Sequence, residues 1–290
     1  FELVFDRGSG RITRYTHQGK ALMEDGPRLR FSRAVIDNFA FMREEQNLLL
    51  NMQPQVNQVE IRQQAGLVEI ETAKSFRMSI ERRTRNRKTK SWDTKTDVQG
   101  FDCGETYRIH PDGKVVIETS VVPVGFPSHT RPVLQRVGYE LKTAPGYDQL
   151  TWYGRGPHSG YPDRQIGSRF GRYSGSVEAQ FVNYPYPQAN GNKSEVRWAT
   201  LTNAAGSGLR VDGLAPFNVS AKHYTTENLN AATHTTDLEK LEQTVLTIAH
   251  REGPLGNKSC GPVPLAEYRI PLQPMEFTVV IEPLTSTKSL

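Results

Sequence analysis

The chain has 290 residues, of which 23% are charged and 36% are hydrophobic, a balance typical of a globular protein rather than a disordered one. Its net charge of +5 is too small over this length to indicate a nucleic-acid partner or an anionic membrane surface. No stretch comes close to the roughly 18 apolar residues of a membrane helix. The chain starts at Phe1 without a methionine or a signal-like segment, so we expect residues 1–290 to be one domain of a longer protein.

Alternation of apolar and polar residues dominates the chain and predicts strands. Val68, Ile70 and Thr72, for example, share one face of such a run. Asp112-Gly113 is a strong hairpin signal between two runs. Strands are predicted over residues 1–5, 12–15, 29–36, 56–78, 106–109, 114–122, 137–141, 196–202, 208–211, 243–249 and 277–281. Because helical patterns are nearly absent, the sequence predicts an all-β sandwich.

Three further segments carry weaker structural signals. Residues 39–51 suit a short helix or an ordered loop, and residues 225–233 suit one short helix with a threonine as its N-cap. Residues 79–95 surround Trp92 with basic side chains, which favours a solvated strand edge and turn over a nucleic-acid groove. The basic residues are Arg82, Arg83, Arg85, Arg87, Lys88, Lys90 and Lys95.

The motifs of common catalytic and metal sites are absent from the sequence. It contains no Gly-x-Ser-x-Gly, His-Glu-x-x-His or Cys-x-x-Cys, and no glycine-rich nucleotide loop. Cys103 and Cys260 could form one disulfide, but they do not have the spacing of a metal site. Two cysteines fit a reducing compartment as well as an oxidising one. The seven histidines are scattered and are expected to be surface or packing residues: His17, His110, His129, His158, His223, His234 and His250.

One glycine- and proline-rich stretch, residues 152–164, cannot form a helix or a regular central strand. It reads Trp-Tyr-Gly-Arg-Gly-Pro-His-Ser-Gly-Tyr-Pro-Asp-Arg. It is either an ordered loop packed by its own side chains or a loop held rigid beside a bound ligand. Residues 184–192 and 253–264 form two more loops of this kind.

These loops resemble a known family. Residues 152–164, 184–198 and 256–262, in this order and at these intervals, are similar to the C-terminal domain, or small chain, of the β-galactosidases of glycoside hydrolase family 2. Residues 31–38, 231–234 and 265–271 support the resemblance, which covers nearly the whole chain. It implies an all-β, galactose-mutarotase-like β-supersandwich.

The resemblance also implies that catalysis takes place elsewhere in a parent enzyme. In that family the catalytic glutamates lie on a separate TIM barrel, where one follows an asparagine. This chain contains no Asn-Glu dipeptide and no alternation of strands and helices. We therefore expect no catalytic residue, no metal ligand and no cofactor in this domain, and any Mg²⁺ or Na⁺ would belong to other parts of the parent. Its implied partners are a galactoside, the catalytic barrel or a large subunit, and in some assemblies a second copy.

The sequence departs from the family pattern at three loop positions. Cys260, in Ser259-Cys260-Gly261, replaces a tryptophan on which a sugar stacks, and a thiol has no flat π face for that contact. Ser159 and Ala189 each replace a glutamate. The loss of two carboxylates from two matched loops suggests that they served one site or packed against one partner.

By this resemblance the expected sugar-facing residues are Cys260, His158, Gln188 and Asn190. Amide groups both donate and accept hydrogen bonds, which suits sugar hydroxyls, but they could equally tie down the loop backbone. Trp152, Tyr153, Tyr161 and Trp198 are expected to be core aromatics. Asp163 and Arg164 are expected to form a structural charge pair that also bonds backbone groups.

Two other classes of function stay open at this point. The same fold could carry an autonomous aldose 1-epimerase, which needs a carboxylate base and a histidine acid that no motif here supplies. The chain could instead be a carbohydrate-binding or purely structural module, which the missing tryptophan makes credible. A mutarotation assay and a calorimetric sugar titration separate these alternatives.

Overall fold

The computed structural model describes residues 1–85, 90–127, 134–258 and 260–285, and within them the predicted all-β fold is confirmed. The strands are β1 Glu2–Asp6, β2 Arg11–His17, β3 Lys20–Arg30, β4 Pro54–Gln64, β5 Leu67–Arg85, β6 Trp92–Ile109, β7 Val115–Val124, β8 Arg136–Thr143, β9 Gln149–Gly156, β10 Arg169–Ser176, β11 Lys193–Thr202, β12 Gly208–Lys222, β13 Val245–Glu252 and β14 Met275–Leu284. The α-helices are α1 Arg43–Asn51, α2 Val177–Gln180 and α3 Thr226–Ala231, and 3₁₀ helices span Asp37–Met42, Thr235–Asp237 and Ala266–Tyr268. None of these helices is long and apolar enough to cross a membrane.

All strand pairs are antiparallel, and β12 joins the two parts of the sheet. Neighbouring strands follow the order β1-β2-β3-β8-β13-β12-β14-β7-β6-β5-β4, and β11, β9 and β10 branch from β12. The first half of β12 pairs with β14, and its second half pairs with β13. Because β12 belongs to both parts, the sheet curls and encloses one large apolar core.

Strand β7 shows how the sequence pattern produces this core. Val115, Ile117 and Val121 are at most 1% exposed, whereas Glu118 between them faces solvent. Successive side chains of a strand point to opposite faces, so this alternation puts one face in the core. The predicted Asp-Gly hairpin is also confirmed: Gly113 has a φ of +90° between β6 and β7.

The local predictions have mixed outcomes. Residues 39–51 are helical, and the Thr225 side chain accepts the Asn228 amide as the N-cap of α3. Cys103 is buried and Cys260 is exposed, so both are free thiols rather than a disulfide. The described parts of the basic run lie at the end of β5, which reaches Arg85, and around the start of β6 at Trp92, and these two strands pair with each other. Two residues of the run, Arg87 and Lys88, lie outside the described residues, as does His129.

A group of buried charges lies between the sheet and the loops that cover it. The Glu252 carboxylate accepts hydrogen bonds from Arg33 at 3.0 Å and from Arg136 at 2.9 and 3.2 Å. Arg33 also donates to the carbonyls of Gly253 at 3.0 Å and Pro254 at 2.7 Å. Burial by itself would raise the pKa of Glu252, but the charges of the two arginines outweigh it and lower the pKa.

Lys222 is buried near these charges and is only 7% exposed. Its ammonium group donates to Ser220 Oγ at 2.8 Å. Burial is the main cause that lowers the pKa of Lys222 to about 7. The charges of Arg136 and Arg33 lower its pKa further, whereas those of Glu252 and Glu140 raise it.

We therefore predict that Lys222 makes the stability of the fold depend on pH. The unfolded chain holds the lysine proton up to a pH near 10, whereas the folded chain releases it near pH 7, so stability should rise with pH between these values. Lys222→Met removes this cost, and at pH 7 we expect the variant to be more stable by on the order of 2 kcal/mol. Urea unfolding measured from pH 7 to about pH 9.5 checks this.

Lys20→Met is the matched control, because Lys20 is exposed on the first residue of β3. This variant should keep the pH dependence of the unsubstituted chain. If the free energy of unfolding of Lys222→Met follows that of the unsubstituted chain in parallel over the whole pH range, the assignment is wrong.

Candidate functional site

Four segments that are distant in sequence meet at one place on the loop side of the sheet. They are residues 31–38, 157–164, 184–192 and 253–264, and we call the last three the rim loops. The prediction that residues 152–164 cannot form a regular central strand is wrong for residues 152–156, because these end β9, where Trp152 and Tyr153 pair with both β10 and β11. A small apolar cluster beneath the rim loops, separate from the main core, includes Val35, Phe39, Ala189 and Leu229. The rim loops therefore rest on packed side chains rather than on solvent.

Asp163 and Arg164 connect the first rim loop to the third. The Asp163 carboxylate accepts hydrogen bonds from the amides of Leu255 at 2.9 Å and Gly256 at 2.7 Å. Arg164 donates to the Gly256 carbonyl at 3.1 Å and to Asn257 Oδ1 at 2.6 Å. The two side chains also pair with each other at 3.2 Å, which confirms the expected structural charge pair with bonds to backbone.

The first and second rim loops are joined by a reciprocal pair of hydrogen bonds. The Gly160 amide donates to the Asn192 carbonyl at 2.8 Å, and Asn192 Nδ2 donates to the Gly160 carbonyl at 2.7 Å. Next to this pair, Lys193 donates to the Pro157 carbonyl at 3.0 Å and lies 4.9 Å from the centre of the Trp152 ring. Burial lowers the pKa of Lys193 to about 8.

Residues 31–38 complete the arrangement. The Asp37 amide donates to Gln188 Oε1 at 3.2 Å, and Gln188 Nε2 donates back to the Asp37 carboxylate at 3.1 Å. Asn38 Nδ2 donates to the Gly256 carbonyl at 2.8 Å. This segment is therefore bonded to both the second and the third rim loop.

The four segments enclose an open cleft of about 430 Å³. Most of its lining residues carry a polar group, among them one carboxylate from Asp37 and one guanidinium group from Arg164. The lining residues are Ile36, Asp37, Asn38, Ser159, Tyr161, Arg164, Tyr184, Gln188, Ala189, Asn190 and Leu255. Such a lining can donate and accept hydrogen bonds around a polar ligand.

The structure brings together two of the four expected sugar-facing residues. Gln188 and Asn190 line the cleft, but their amides already bond loop atoms: Asn190 accepts from the Val182 amide at 3.0 Å and donates to the Gln188 carbonyl at 3.0 Å. His158 and Cys260 are exposed on the first and third rim loops and do not line the cleft. Ser259, next to Cys260, lies outside the described residues.

Sequence reasoning missed Asp37 and Asn38 as site residues. Their signal was visible, since an Asp-Asn pair directly follows an apolar run and lies in a segment that carries the family resemblance. Among the described residues, no group of three or more His, Cys, Asp and Glu side chains could hold a metal ion.

The expectation that all four aromatic residues lie in the core is only partly right. Trp152 and Tyr161 are 1% and 3% exposed, as expected. Tyr153 is 38% exposed and Trp198 is half-buried, so this expectation was wrong for Tyr153. Neighbouring residues of β9 point to opposite faces, and Trp152 occupies the inner one.

The sequence of the chain is similar to known proteins. The family model described as "Beta galactosidase small chain" matches residues 1–281. The chain is 30% identical over 256 residues to a β-galactosidase of Priestia megaterium, an alignment that covers 88% of this chain and 23% of that protein. A β-galactosidase of Halalkalibacterium halodurans is 25% identical over 284 residues, 96% of this chain and 26% of that protein.

A β-galactosidase of Kluyveromyces lactis is 31% identical over 180 residues, which cover 61% of this chain and 17% of that protein. In each of these three alignments the chain spans about a quarter or less of the length of its relative. Because the family match extends over almost all of the sequence, the chain belongs to the β-galactosidase small-chain family.

Proposed function

We propose that this chain forms one wall of the sugar-binding pocket of a parent β-galactosidase and contributes to the packing of that enzyme. The observation that carries the proposal is the convergence of four segments on one polar cleft of about 430 Å³. Direct hydrogen bonds between the segments hold its shape in place before a ligand arrives, which reduces the ordering cost of binding. The family relationship supports a terminal β-galactoside as the ligand.

Hydrolysis is assigned to another part of the parent enzyme. Glycoside hydrolysis generally needs two carboxylates on either side of the bond that breaks. Among the residues that line the cleft, Asp37 is the one carboxylate, and Gln188 donates a hydrogen bond to it. We therefore propose that the chain alone is inactive, that it binds no cofactor, and that any Mg²⁺ or Na⁺ belongs to other domains.

Complementation between two fragments of the parent enzyme tests this function. Neither this chain nor the remainder of the parent polypeptide should hydrolyse a nitrophenyl β-galactoside alone, and mixing them should restore hydrolysis. Asp37→Asn in the added chain keeps the shape of the side chain and removes its charge from the cleft. We expect it to raise KM by about tenfold with a smaller effect on kcat, because it alters binding of the sugar.

Asp112→Asn is the matched control, because Asp112 is an exposed residue of the β6–β7 turn and does not line the cleft. It should leave both constants unchanged. Hydrolysis by the chain alone would contradict the proposal, as would equal effects of the two variants. Mutarotation of galactose by the chain alone would instead support the epimerase function.

The two missing family carboxylates provide a second test. Ser159 and Ala189 both line the cleft, so glutamates introduced at both positions would share one small volume. Like charges in one partly enclosed space repel each other. For the double variant Ser159→Glu with Ala189→Glu, we predict a loss of stability larger than the sum of the single losses, by about 1 kcal/mol.

A double-mutant cycle measured by urea unfolding checks the prediction. The control cycle combines Ser159→Glu with Gln64→Glu, since Gln64 is exposed at the end of the edge strand β4. That pair should be additive within about 0.5 kcal/mol. If the changes in the free energy of unfolding are strictly additive in both cycles, the hypothesis that the two positions serve one site is wrong.

A further inference from the structure

Two β-bulges lie on either side of one residue of β12. On β11, Ser194 and Glu195 together occupy the place opposite Asn218. On β13, His250 is the extra residue of a second bulge, and the residue before it pairs with Asn218. Glu195 also has a φ of +53°, which is uncommon for a residue with a side chain. Bulges re-aim side chains and are over-represented beside binding sites.

Two recesses in the surface meet at these bulges. The polar recess, of about 210 Å³, is lined by residues that include Gln165, Asn218 and Arg251. The apolar recess, of about 240 Å³, is lined by residues that include Leu214 and Phe277. His250 and Phe217 line both recesses. Neither recess shares a lining residue with the cleft between the rim loops, so they form a separate place on the molecule.

Positive charge is in excess at the polar recess. Its two lining carboxylates are already neutralised: Glu252 is paired with two buried arginines, and Glu195 is paired with Arg155 at 2.9 Å. Arg251 is exposed, and it forms no ion pair within the described part of the chain. An anion that enters the recess therefore meets one guanidinium group that is free to pair with it.

His250 adds a hydrogen-bond donor beside this charge. Its ring stacks on that of Phe277, with the ring centres 4.9 Å apart and an angle of 4° between the planes. Burial and the charge of Arg251 lower the pKa of His250 to about 4, so the imidazole is neutral at pH 7 and keeps one N–H donor. No described residue forms a hydrogen bond with this ring, so its donor is available to a ligand.

The apolar recess lies at the margin of the main core. Phe217 and Val279 belong to that core, and Phe277 packs against it. Leu214, at the border of the recess, is 81% exposed. An apolar group that enters the recess would cover these side chains and gain roughly 25 cal/mol for each Å² of apolar surface removed from water.

The two recesses differ in the chemistry that they favour, and this difference restricts the ligand. An inorganic anion would pair with Arg251 but would leave the apolar recess unfilled. An uncharged sugar would leave the guanidinium group unpaired and would place hydroxyl groups against Phe217 and Phe277, where they find no partner. Each recess is smaller than the roughly 300 Å³ at which ordinary ligand pockets begin, so the ligand must be small and must extend into both.

We propose that the two recesses together bind a small carboxylate that carries an apolar group. The carboxylate lies at His250 and Arg251, and the apolar group lies against Phe217 and Phe277. This site goes beyond the proposed role in the sugar pocket and does not depend on it.

Calorimetric titration of the 290-residue chain with phenylacetate at pH 7 tests the proposal. Phenylacetate has one carboxylate and one apolar ring, and we expect a Kd on the order of 1 mM or lower. Phenylacetamide has the same shape without the charge, and acetate has the charge without the ring. Each should bind at least about tenfold more weakly, because each fills only one recess with matching chemistry. Galactose should not displace phenylacetate.

Nuclear magnetic resonance locates the bound probe. The ring signals of His250 are assigned by their loss in the variant His250→Gln. Phenylacetate should shift these signals in the unsubstituted chain, because its carboxylate accepts a hydrogen bond from the imidazole. The ring signals of His234, which is exposed and lines neither recess, should stay where they are.

Substitution of Arg251 tests the role of charge. Arg251→Gln should weaken phenylacetate binding by about tenfold and leave the weak binding of phenylacetamide unchanged, because only the carboxylate pairs with the guanidinium group. Arg14→Gln is the matched control, since Arg14 is exposed on β2 and lines neither recess. The control should bind phenylacetate like the unsubstituted chain.

Substitution of Ala215 tests the role of the apolar recess. Ala215 is exposed and lines this recess, so the larger side chain of Ala215→Trp should fill it and abolish phenylacetate binding without changing any charge. Ala205→Trp is the matched control, because Ala205 is exposed in the turn between β11 and β12 and lines neither recess. It should have no effect on binding.

Five results would overturn the proposal. They are no phenylacetate binding up to about 10 mM, equal affinities for phenylacetate and phenylacetamide, unchanged His250 signals, substitutions no more damaging than their controls, and displacement of phenylacetate by galactose. None of these readouts measures hydrolysis, so failure of this site and failure of the sugar-pocket role are distinguishable.

Discussion

The interaction on which the site depends is the buried contact of Glu252 with Arg33 and Arg136. Glu252 ends β13, and Arg136 begins β8, so the sheet supplies one carboxylate and one arginine. Arg33 comes from a loop segment and also holds the carbonyls of Gly253 and Pro254. Removing Glu252 would leave two buried guanidinium groups, those of Arg33 and Arg136, without their carboxylate partner, which costs several kcal/mol. The group therefore fixes the position of two loop segments relative to the sheet.

The rim loops are organised by the same kind of contact, from a side chain of one segment to the backbone of another. Asp163 holds two amides of the third rim loop, and Asn192 and Gly160 exchange hydrogen bonds between the first two. Buried backbone groups need such partners when no strand neighbour supplies them. The result is a cleft whose shape is fixed by hydrogen bonds, although the segments around it lack regular secondary structure. Its single carboxylate and its hydrogen-bonding side chains support the proposal that the cleft holds a sugar while another domain breaks the bond.

Much of the fold was predictable because strands of an antiparallel sheet with one buried face alternate in polarity. The strands β1, β7 and β14 carry this pattern clearly. Strand β10 was missed, since Gly171 and Gly175 interrupt it and its outward residues include a phenylalanine. It forms because β9 offers an open edge with which its backbone can pair. Tertiary pairing of this kind overrides weak local preference.

The sequence by itself determined the all-β class, the hairpin at Asp112-Gly113, the loops that carry the family resemblance and the absence of a recognisable catalytic motif. Only the tertiary structure decided which residues meet across the cleft, because Asp37 and Gln188 are brought together by folding rather than by spacing. It also decided that Trp152 faces the core and Tyr153 faces outward. Both are aromatic, so polarity along the strand could not distinguish the inner face from the outer one.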